Sequence, residues 1–585
     1  MALWSGATEG PFDSVMATAS TGRSIWPSRG LAVALDYAQA SHARALALLT
    51  ALALLAFLPG FFQIPPIDRD EARFAQATKQ MVEEGDYIDI RFQNEVRYKK
   101  PIGIYWMQAA MVKTATRIAG HEVLSVIWLY RLPSLIGAIG AVLLTYWAAL
   151  AFVTRRAAVL AAAMMAGCVL LGVEARLAKT DAMLLLTAVA AMGAMARIYL
   201  AWRRDPDAPA GWTVPAVFWT AMAGGVLLKG PLILMFAGLT ALTLALLDRS
   251  LRWLRGLRPL TGILWMVLLT LPWFIAIVAR AGGTFFAESV GQDMLAKVTS
   301  GQEAHGAPPG FYLLLFFVTF WPGAVLAGMA APAAWRARRQ PHTQFLLAWL
   351  VPSWIVFELV VTKLPHYVLP LYPAAAILIA GVLDAGLLSQ ARWFIRGTVG
   401  WFLFPAVVCL IAVIGVIVLE REPGFLAWPF AAAAAIFGLF AWWLYEADGP
   451  ERALLRALAA SVLVAIAVYG TAVPSMTALF PSGAVAQALR DSNCATREVA
   501  SAGYQEPSLV FLVGTGLRFT DAAGAADFLR GGGCRFALVE SRGERSFAQR
   551  ADAIGLRYSP GPRIEGYNIS IGRPVTIAIY QSDAD

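Results

Sequence analysis

Long apolar stretches recur along this chain, separated by short segments that carry charge, proline or glycine. A run of roughly 18 or more apolar residues is long enough to cross a bilayer as a helix. Because the backbone must satisfy its own hydrogen bonds in lipid, continuous runs of this length favour helices over barrel strands. The sequence thus predicts a polytopic α-helical membrane protein. Thirteen candidate spans can be counted: 43–62, 126–153, 157–174, 182–201, 213–228, 231–247, 260–280, 311–331, 343–361, 367–385, 398–419, 427–446 and 455–476.

The charge distribution predicts which side of the membrane each loop occupies. The chain has a net charge of +9, but its arginines cluster in alternate short loops, which is a topology signal rather than a nucleic-acid surface. We therefore predict no nucleic-acid partner. Fifteen arginines fall on one side, the predicted cytoplasmic side: Arg155, Arg156, Arg203, Arg204, Arg249, Arg252, Arg255, Arg258, Arg336, Arg338, Arg339, Arg392, Arg396, Arg452 and Arg456.

The two ends of the chain differ from the apolar middle. Residues 1–42 lack a clear signal peptide and are predicted to be a disordered cytoplasmic tail, with Met16 as an alternative start. An odd number of spans then places the C-terminus outside. Residues 477–585 predict a small outer α/β domain. In it, "PSLVFLVGTGLRF" (507–519) and "CRFALVES" (534–541) are predicted as buried strands, "AAGAADFLR" (522–530) as a helix and "PVTIAIYQS" (574–582) as a closing strand.

Two of the four cysteines are candidates for a disulfide. Cys494 and Cys534 both lie in the predicted outer domain, where the compartment permits oxidation. A disulfide between them and two free thiols both remain open from sequence. Cys168 and Cys409 fall inside apolar spans and are predicted to be buried.

The first outer loop, 63–125, concentrates charge. Fifteen of the 33 residues from Asp68 to Lys100 are charged, and eight of these are acidic. Asp68 is predicted to cap a helix with Glu71 three residues later, and this helix is predicted to lie along the membrane surface.

Two interpretations of this loop remain open from sequence. The helix could be a solvated interfacial helix whose acids complement its dipole. Alternatively the loop is an acid–base centre beside a phosphate site, with Asp70 taking a proton and Lys100 holding an anionic headgroup. Arg73 is close enough in sequence to pair with Asp70.

Three other outer loops also carry ionisable residues. Each set alone is explained by side chains just beyond a span end. Together the four loops predict an outward-facing cavity with anion-binding bases and a few carboxylates. No His/Cys cluster has metal-ligand spacing, so no metal and no cofactor are predicted. The further candidates are Glu174, Arg176, Lys179, Asp181, Lys297, Glu303, His305, Lys363, His366 and Tyr367.

Three segments carry a family resemblance: "DRDEARFAQATKQMVEEGDYIDIRFQNEVRYKKPIGIYWMQ", "EARLAKTDAMLL" and "TKLPHYVLPLYP". They resemble the bacterial branch of the protein mannosyltransferase-like superfamily, and within it the aminoarabinose transferases that modify lipid A. The resemblance implies a GT-C fold, an outward-facing active site and a polyprenyl-phosphate-linked sugar donor.

The resemblance also implies site residues. The family's acidic pair matches Asp70 and Glu71, its second acidic motif matches Thr180-Asp181, its Lys-Pro matches Lys100-Pro101, and its Lys-Leu-Pro-x-Tyr matches Lys363, Pro365 and Tyr367. The chain departs from the aminoarabinose transferases at Lys99-Lys100-Pro101-Ile102 and at "HGAPPG" (305–310), which leaves the sugar and acceptor open.

The sequence therefore predicts a bacterial inner-membrane glycosyltransferase acting on lipid A, a related glycolipid or a polysaccharide. Membrane lipids and the lipid-linked donor are its expected partners. We predict catalytic roles for Asp70, Glu71 and Asp181. Donor phosphate binding is assigned to Arg73, Lys100, Lys297, Lys363 and Tyr367, and a sugar pocket to Glu174, Arg176, His305 and His366. The alternatives are a protein O-glycosyltransferase of the same fold, a flippase or transporter for the lipid-linked sugar, and a non-catalytic scaffold.

Overall fold

The computed structural model of the chain describes residues 28–207, 211–289, 291, 306–492, 494 and 496–583. Every apolar stretch predicted as a span contains at least one helix among these residues. Up to residue 475 the helices are Ser28–Gln39, His42–Phe57, Asp70–Glu84, Gly103–Ala119, Ile127–Ala149, Arg155–Ala166, Val169–Glu174, Asp181–Arg204, Thr213–Lys229, Leu232–Asp248, Pro259–Ala281, Thr284–Phe286, Phe311–Thr319, Ala324–Arg336, Pro341–Leu359, Tyr372–Asp384, Arg392–Val399, Phe404–Glu420, Trp428–Trp443, Tyr445–Asp448, Pro450–Ala465 and Val473–Ser475. Shorter 3₁₀ and π segments join them at His121–Ser125, Arg252–Leu257, Pro365–Leu371, Gly400–Leu403 and Ile466–Ala472.

Several of these helices have the length and composition of membrane spans. In the described part of the chain, six helical segments are long and apolar enough to cross a bilayer, and four shorter helices are also apolar. Helix Pro259–Ala281 leaves Leu260, Leu264 and Leu268 largely exposed. A helix that presents leucines outward over its whole length is covered by lipid, because water would make such a surface costly.

The centre of the bundle is the helix pair Ile127–Ala149 and Asp181–Arg204. Glycines permit their close contact. A Cβ on Gly137 would lie 2.8 Å from the backbone nitrogen of Met183, and one on Gly193 would lie 2.6 Å from the Trp147 ring. Small residues at such crossings let two helix backbones approach each other in membranes.

The N-terminal prediction needs correction. Residues 28–39 form a helix instead of a disordered tail, because Leu35 and Ala38 bury their apolar side chains against the bundle. Asp36 on the same helix accepts a hydrogen bond from Arg156 at 2.9 Å. Residues 1–27, including Met16, lie outside the described part of the chain.

The first-loop helix, Asp70–Glu84, is not a solvated interfacial helix. It is buried over most of its surface, from Glu71 to Met81 with the exception of Arg73. The predicted capping pair is also wrong, because the helix begins at Asp70 without a side-chain cap. Asp68 Oδ1 instead accepts the Ser508 N–H at 2.9 Å.

The C-terminal part forms one mixed sheet. Following the short hairpin of β1 (Arg91–Phe92) and β2 (Glu95–Val96), the strands are β3 (Glu498–Ala502), β4 (Arg518–Thr520), β5 (Arg535–Glu540), β6 (Tyr558–Asn568) and β7 (Arg573–Ser582). Their spatial order is β4-β3-β5-β7-β6, in which β3 is parallel to β4 and β5, while β7 is antiparallel to β5 and β6. The accompanying helices are Pro481–Arg490, Pro507–Val513, Ala522–Leu529 and Glu544–Ala553.

Two predictions within this domain have different outcomes. "CRFALVES" and "PVTIAIYQS" contain strands, but residues 507–513 of "PSLVFLVGTGLRF" form a helix. Proline at the first helical position favours the start of a helix, and burial on all sides removes the periodicity that would distinguish helix from strand. A disulfide joins Cys494 and Cys534.

The sheet domain docks on the first-loop helix. Lys79 Nζ donates to the Phe511 carbonyl at 2.8 Å, Gln76 Nε2 donates to Thr515 Oγ1 at 2.8 Å, and Phe511 packs edge-to-face on Tyr130. The first-loop helix is therefore held between the membrane helices and the C-terminal sheet.

Candidate active site

Five charged or titratable side chains meet in one small volume at the ends of the membrane helices. Lys179 Nζ lies 3.1 Å from Glu174 Oε1 and 3.8 Å from Asp181 Oδ2, and Lys229 Nζ lies 2.5 Å from Asp181 Oδ1. The His366 ring lies 3.8 Å from both Glu174 and Asp181. We call these five residues the polar cluster.

Helix ends create the polar cluster. Asp181 is the first residue of helix Asp181–Arg204, and Lys229 is the last residue of helix Thr213–Lys229. A carboxylate at a helix N-terminus and an ammonium at a C-terminus both complement the helix dipole. His366 follows Pro365 at the start of a 3₁₀ turn, which brings a distant loop to the same place.

Electrostatics favour a charged Lys179. Burial opposes the charge of Lys179, but Glu174, Asp181 and Asp70 together raise its pKa above the ordinary value. Lys100 is near enough to act on the His366 ring electrostatically. The charges of two residues of the first outer loop, Asp70 and Lys100, therefore act on the polar cluster.

Glu71 has a different environment from the one predicted for a catalytic group. Its carboxylate accepts hydrogen bonds from Arg131 at 2.7 and 2.9 Å, from the Ala178 N–H at 2.9 Å and from the Ile67 N–H at 2.9 Å. Both side chains of the Glu71–Arg131 pair are almost wholly buried. With both oxygens engaged, Glu71 fixes the first-loop helix to residue 178 and leaves no lone pair aimed at a substrate.

Two further predicted ligands also bind the protein's own backbone. Arg176 donates to the carbonyls of Ala56, Pro59 and Gly172. Lys363 donates to three carbonyls at the end of helix Pro341–Leu359: those of Phe357, Glu358 and Val360. These cations satisfy carbonyls that a helix end leaves without partners. These contacts favour structural roles for Arg176 and Lys363, and their predicted sugar and phosphate binding stays a prediction.

The remaining predicted residues lie as follows. Asp70 is exposed, and no hydrogen bond or ion pair is found for its carboxylate within the described ranges, so the predicted Asp70–Arg73 pair does not form there. The Tyr367 ring lies 5.6 Å from Lys229 Nζ, so it borders the polar cluster. Lys297 and His305 lie outside the described residues, as does Glu303.

A metal ion is one thing the polar cluster could hold. Glu174, Asp181 and His366 can each direct one ligand atom to within 4.8 Å of the others. One oxygen of each carboxylate is already paired with a lysine, so a divalent cation bound there would compete with the ammonium ions.

Two residues important to this site were not predicted as site residues. Lys229 was not among the predicted residues, although a single lysine at the end of an otherwise apolar span is unusual. Arg131 lies inside the apolar stretch 126–153. An ionisable residue within a span is costly and is commonly functional or paired, which is the signal that could have identified it.

Comparison with known proteins shows what the chain is similar to. The family described as dolichyl-phosphate-mannose-protein mannosyltransferase matches residues 47–282. The undecaprenyl phosphate-alpha-4-amino-4-deoxy-L-arabinose arabinosyl transferase of Pectobacterium atrosepticum is 27% identical over 289 residues, covering 48% of this chain and 49% of that protein. The enzyme of the same name from Pseudomonas paraeruginosa is 28% identical over 307 residues, covering 51% and 53%. The chain thus matches about half the length of each of these curated relatives.

Solved structures extend the comparison to nearly the whole chain. The apo crystal structure of ArnT from Cupriavidus metallidurans superposes with a TM-score of 0.70 at 18% identity, covering 91% of this chain and 97% of that one. The same protein bound to undecaprenyl phosphate gives a TM-score of 0.68 at 19% identity, with the same coverage.

The chain has an ArnT-like GT-C fold with several apolar helices and a C-terminal sheet domain. In sequence it resembles the undecaprenyl phosphate–aminoarabinose transferases.

Proposed function

We propose that this chain is a membrane glycosyltransferase. It moves a sugar from a polyprenyl-phosphate donor to lipid A or a related envelope glycolipid or polysaccharide. The observation that carries the proposal is the polar cluster, where Lys179 and Lys229 are buried beside two carboxylates next to the exposed Asp70. The likeness to a structure bound to undecaprenyl phosphate supports the same class of donor.

The transfer is an inverting displacement that requires no nucleotide. The acceptor oxygen attacks the anomeric carbon of the sugar while the bond from that carbon to the phosphate oxygen breaks. The polyprenyl phosphate leaves with the electron pair. Negative charge therefore grows on the phosphate in the transition state, and fixed cations aimed at it lower the barrier.

Lys229 and Lys100 bind the donor phosphate, with Tyr367 beside them. Asp181 holds the Lys229 ammonium at 2.5 Å and thereby orients it. Glu174 Oε2 is buried without a hydrogen-bond partner among the described residues. A buried acceptor of this kind suits a hydroxyl or amino group of the transferred sugar, because leaving it unpaired would cost free energy.

Asp70 orients the acceptor and takes its proton when the acceptor is a hydroxyl. A phosphate acceptor is already anionic and needs positioning only. This difference separates lipid A phosphate from the second candidate acceptor, a protein Ser or Thr. The match of residues 47–282 to the protein mannosyltransferase family supports a protein Ser or Thr as the second candidate acceptor.

The sidedness of the site belongs to the proposal. The membrane domain comprises residues 43–476 with thirteen spans and a first outer loop at 63–125, and residues 477–585 form a periplasmic domain. The fifteen arginines on one face support a cytoplasmic assignment for that face. The Cys494–Cys534 disulfide supports an oxidising compartment for the sheet domain.

The deciding experiment is mass spectrometry of lipid A, core oligosaccharide, envelope polysaccharide and periplasmic proteins from a deletion strain. The strain is complemented with wild type, Asp70→Asn, Lys229→Met or the matched control Glu95→Gln. Glu95 is exposed on the hairpin of the same loop. A sugar that disappears on deletion should return with wild type and Glu95→Gln, but not with the other two variants.

Unchanged glycans in a strain lacking the expressed protein would overturn the proposal and favour a flippase or scaffold. Full restoration by Lys229→Met would reject the assigned phosphate site. A sugar lost from periplasmic proteins alone would identify a protein acceptor instead of lipid A.

A further inference from the structure

A second candidate ligand site lies at the opposite end of the membrane helices from the polar cluster. Helix Thr213–Lys229 ends at the polar cluster, and its beginning borders a cavity of about 250 Å³. The start of helix Pro259–Ala281 forms the other wall. The cavity is lined chiefly by Trp212, Trp219, Trp265, Ala216 and Arg258.

The tryptophans of this cavity are held in defined orientations. Trp219 Nε1 donates to the Leu257 carbonyl at 2.8 Å, and Trp265 Nε1 donates to Thr220 Oγ1 at 3.0 Å. A Cβ on Gly262 would lie 1.8 Å from Trp219 Nε1, so the indole occupies space that exists only because residue 262 is glycine. The indole N–H groups bond to the protein, and the apolar ring surfaces are left to line the cavity.

Arg258 lines the cavity, and two more arginines lie on the short segment that precedes it. The segment Arg252–Leu257 is a 3₁₀ helix, in which residues three apart lie above one another. Trp253 is buried as its anchor, while Arg252 and Arg255 are exposed on one edge. Arg258 follows at the next interval of three, and its guanidinium lies 3.6 Å from the centre of the Trp212 ring.

The third boundary is the lipid phase. Trp212 and Trp265 are 60% and 44% exposed, and the neighbouring Leu260 and Leu264 are exposed along the outer face of helix Pro259–Ala281. Tryptophan is enriched where acyl chains meet headgroups, and arginine extends from that level toward phosphate. A ligand that fits both parts has an acyl chain next to an anionic group.

We propose that this cavity binds an anionic glycerophospholipid of the arginine-rich leaflet. Its phosphate lies against Arg255 and Arg258, and one acyl chain enters between the rings of Trp219 and Trp265. Charge complementarity selects the anionic headgroup over a zwitterionic one. The site is separate from the polar cluster and takes no part in the proposed sugar transfer.

The test is native mass spectrometry of the full-length protein exchanged into an equimolar mixture of phosphatidylglycerol and phosphatidylcholine. Wild type should retain phosphatidylglycerol in excess over phosphatidylcholine. A basic residue near an anionic lipid surface contributes about 1 kcal/mol. Arg258→Gln should therefore lower phosphatidylglycerol retention about five-fold, and Arg255→Gln combined with it should lower retention further. Arg339→Gln changes an exposed arginine in another loop and should have no effect.

Ala216→Phe provides an independent variant, because it fills the cavity without changing a charge. It should reduce phosphatidylglycerol retention while Arg255 and Arg258 remain. Equal retention of the two lipids by wild type would overturn the proposal. So would wild-type retention by Arg258→Gln in a sample whose thermal unfolding is normal. The test measures bound lipid and not sugar transfer, so failure of the lipid-binding proposal is distinguishable from failure of the transferase proposal.

Discussion

Replacing Glu71 by Gln tests whether this residue organises the site or performs chemistry. The substitution keeps the shape of the side chain and removes its charge. Arg131 then remains fully buried with three backbone carbonyls, those of Phe61, Ile64 and Pro65, but with no charged partner. Breaking a buried ion pair by removing one charge costs about 3–5 kcal/mol. We therefore expect Glu71→Gln to lower the thermal unfolding midpoint by several degrees.

The matched control is Asp86→Asn in the same loop. Asp86 pairs with Arg280, whose side chain is 63% exposed, and an exposed pair contributes about 0–1 kcal/mol. Both variants are purified in detergent, and thermal unfolding is measured beside transfer activity at a temperature where each remains folded. The reasoning is refuted if Glu71→Gln unfolds no earlier than Asp86→Asn. If Glu71→Gln is as stable as Asp86→Asn but loses transfer completely, Glu71 contacts the reacting groups.

Three other outcomes are expected. Burial, together with the negative charge of Glu506, raises the pKa of Asp68 to about 6. The protonated carboxyl therefore stabilises the fold fully below its unfolded pKa near 3.8, and this stabilisation is lost as pH rises through 6. Thermal unfolding midpoints measured between pH 4 and 8 should show the decline, and Asp68→Asn should remove it. Cys494→Ser should cost the sheet domain about 2–5 kcal/mol, detected as faster proteolysis of that domain; resistance equal to wild type would contradict this. Lys363→Met should lower the unfolding midpoint and leave the KM for the lipid-linked donor unchanged, because its three hydrogen bonds go to backbone carbonyls; a raised KM with normal stability would restore its predicted role in phosphate binding.

The sequence predicted the positions of the apolar helices well because their determinants are local. A long apolar run in lipid has helix as its favoured structure, and arginines or prolines mark where it ends. Helix Asp181–Arg204, predicted as 182–201, illustrates this, since Arg203 and Arg204 close it. The strands at 535–540 and 573–582 were also predictable, because β-branched and aromatic residues recur in them.

The site was harder to predict because its contacts join residues far apart in the chain. Asp70 and Glu71 are adjacent carboxylates that the sequence alone does not distinguish, but Arg131, 60 residues away, forms an ion pair with Glu71 only. Asp68 was expected to cap its own helix and instead accepts the Ser508 N–H, 440 residues later. Lys363 has the position of a phosphate ligand in the family motif, yet its ammonium donates to three backbone carbonyls at the nearby helix end. No local sequence pattern shows which of two neighbouring charged residues forms a contact with a distant part of the chain.

The position of the first-loop helix has a consequence for biosynthesis. Lys79 and Gln76 leave the ribosome well before Phe511 and Thr515, their hydrogen-bond partners 432 and 439 residues further along the chain. Until those partners are made, the first-loop helix lacks the wall that the sheet domain provides. The helix that carries Asp70 is therefore completed only after the sheet domain has emerged and folded.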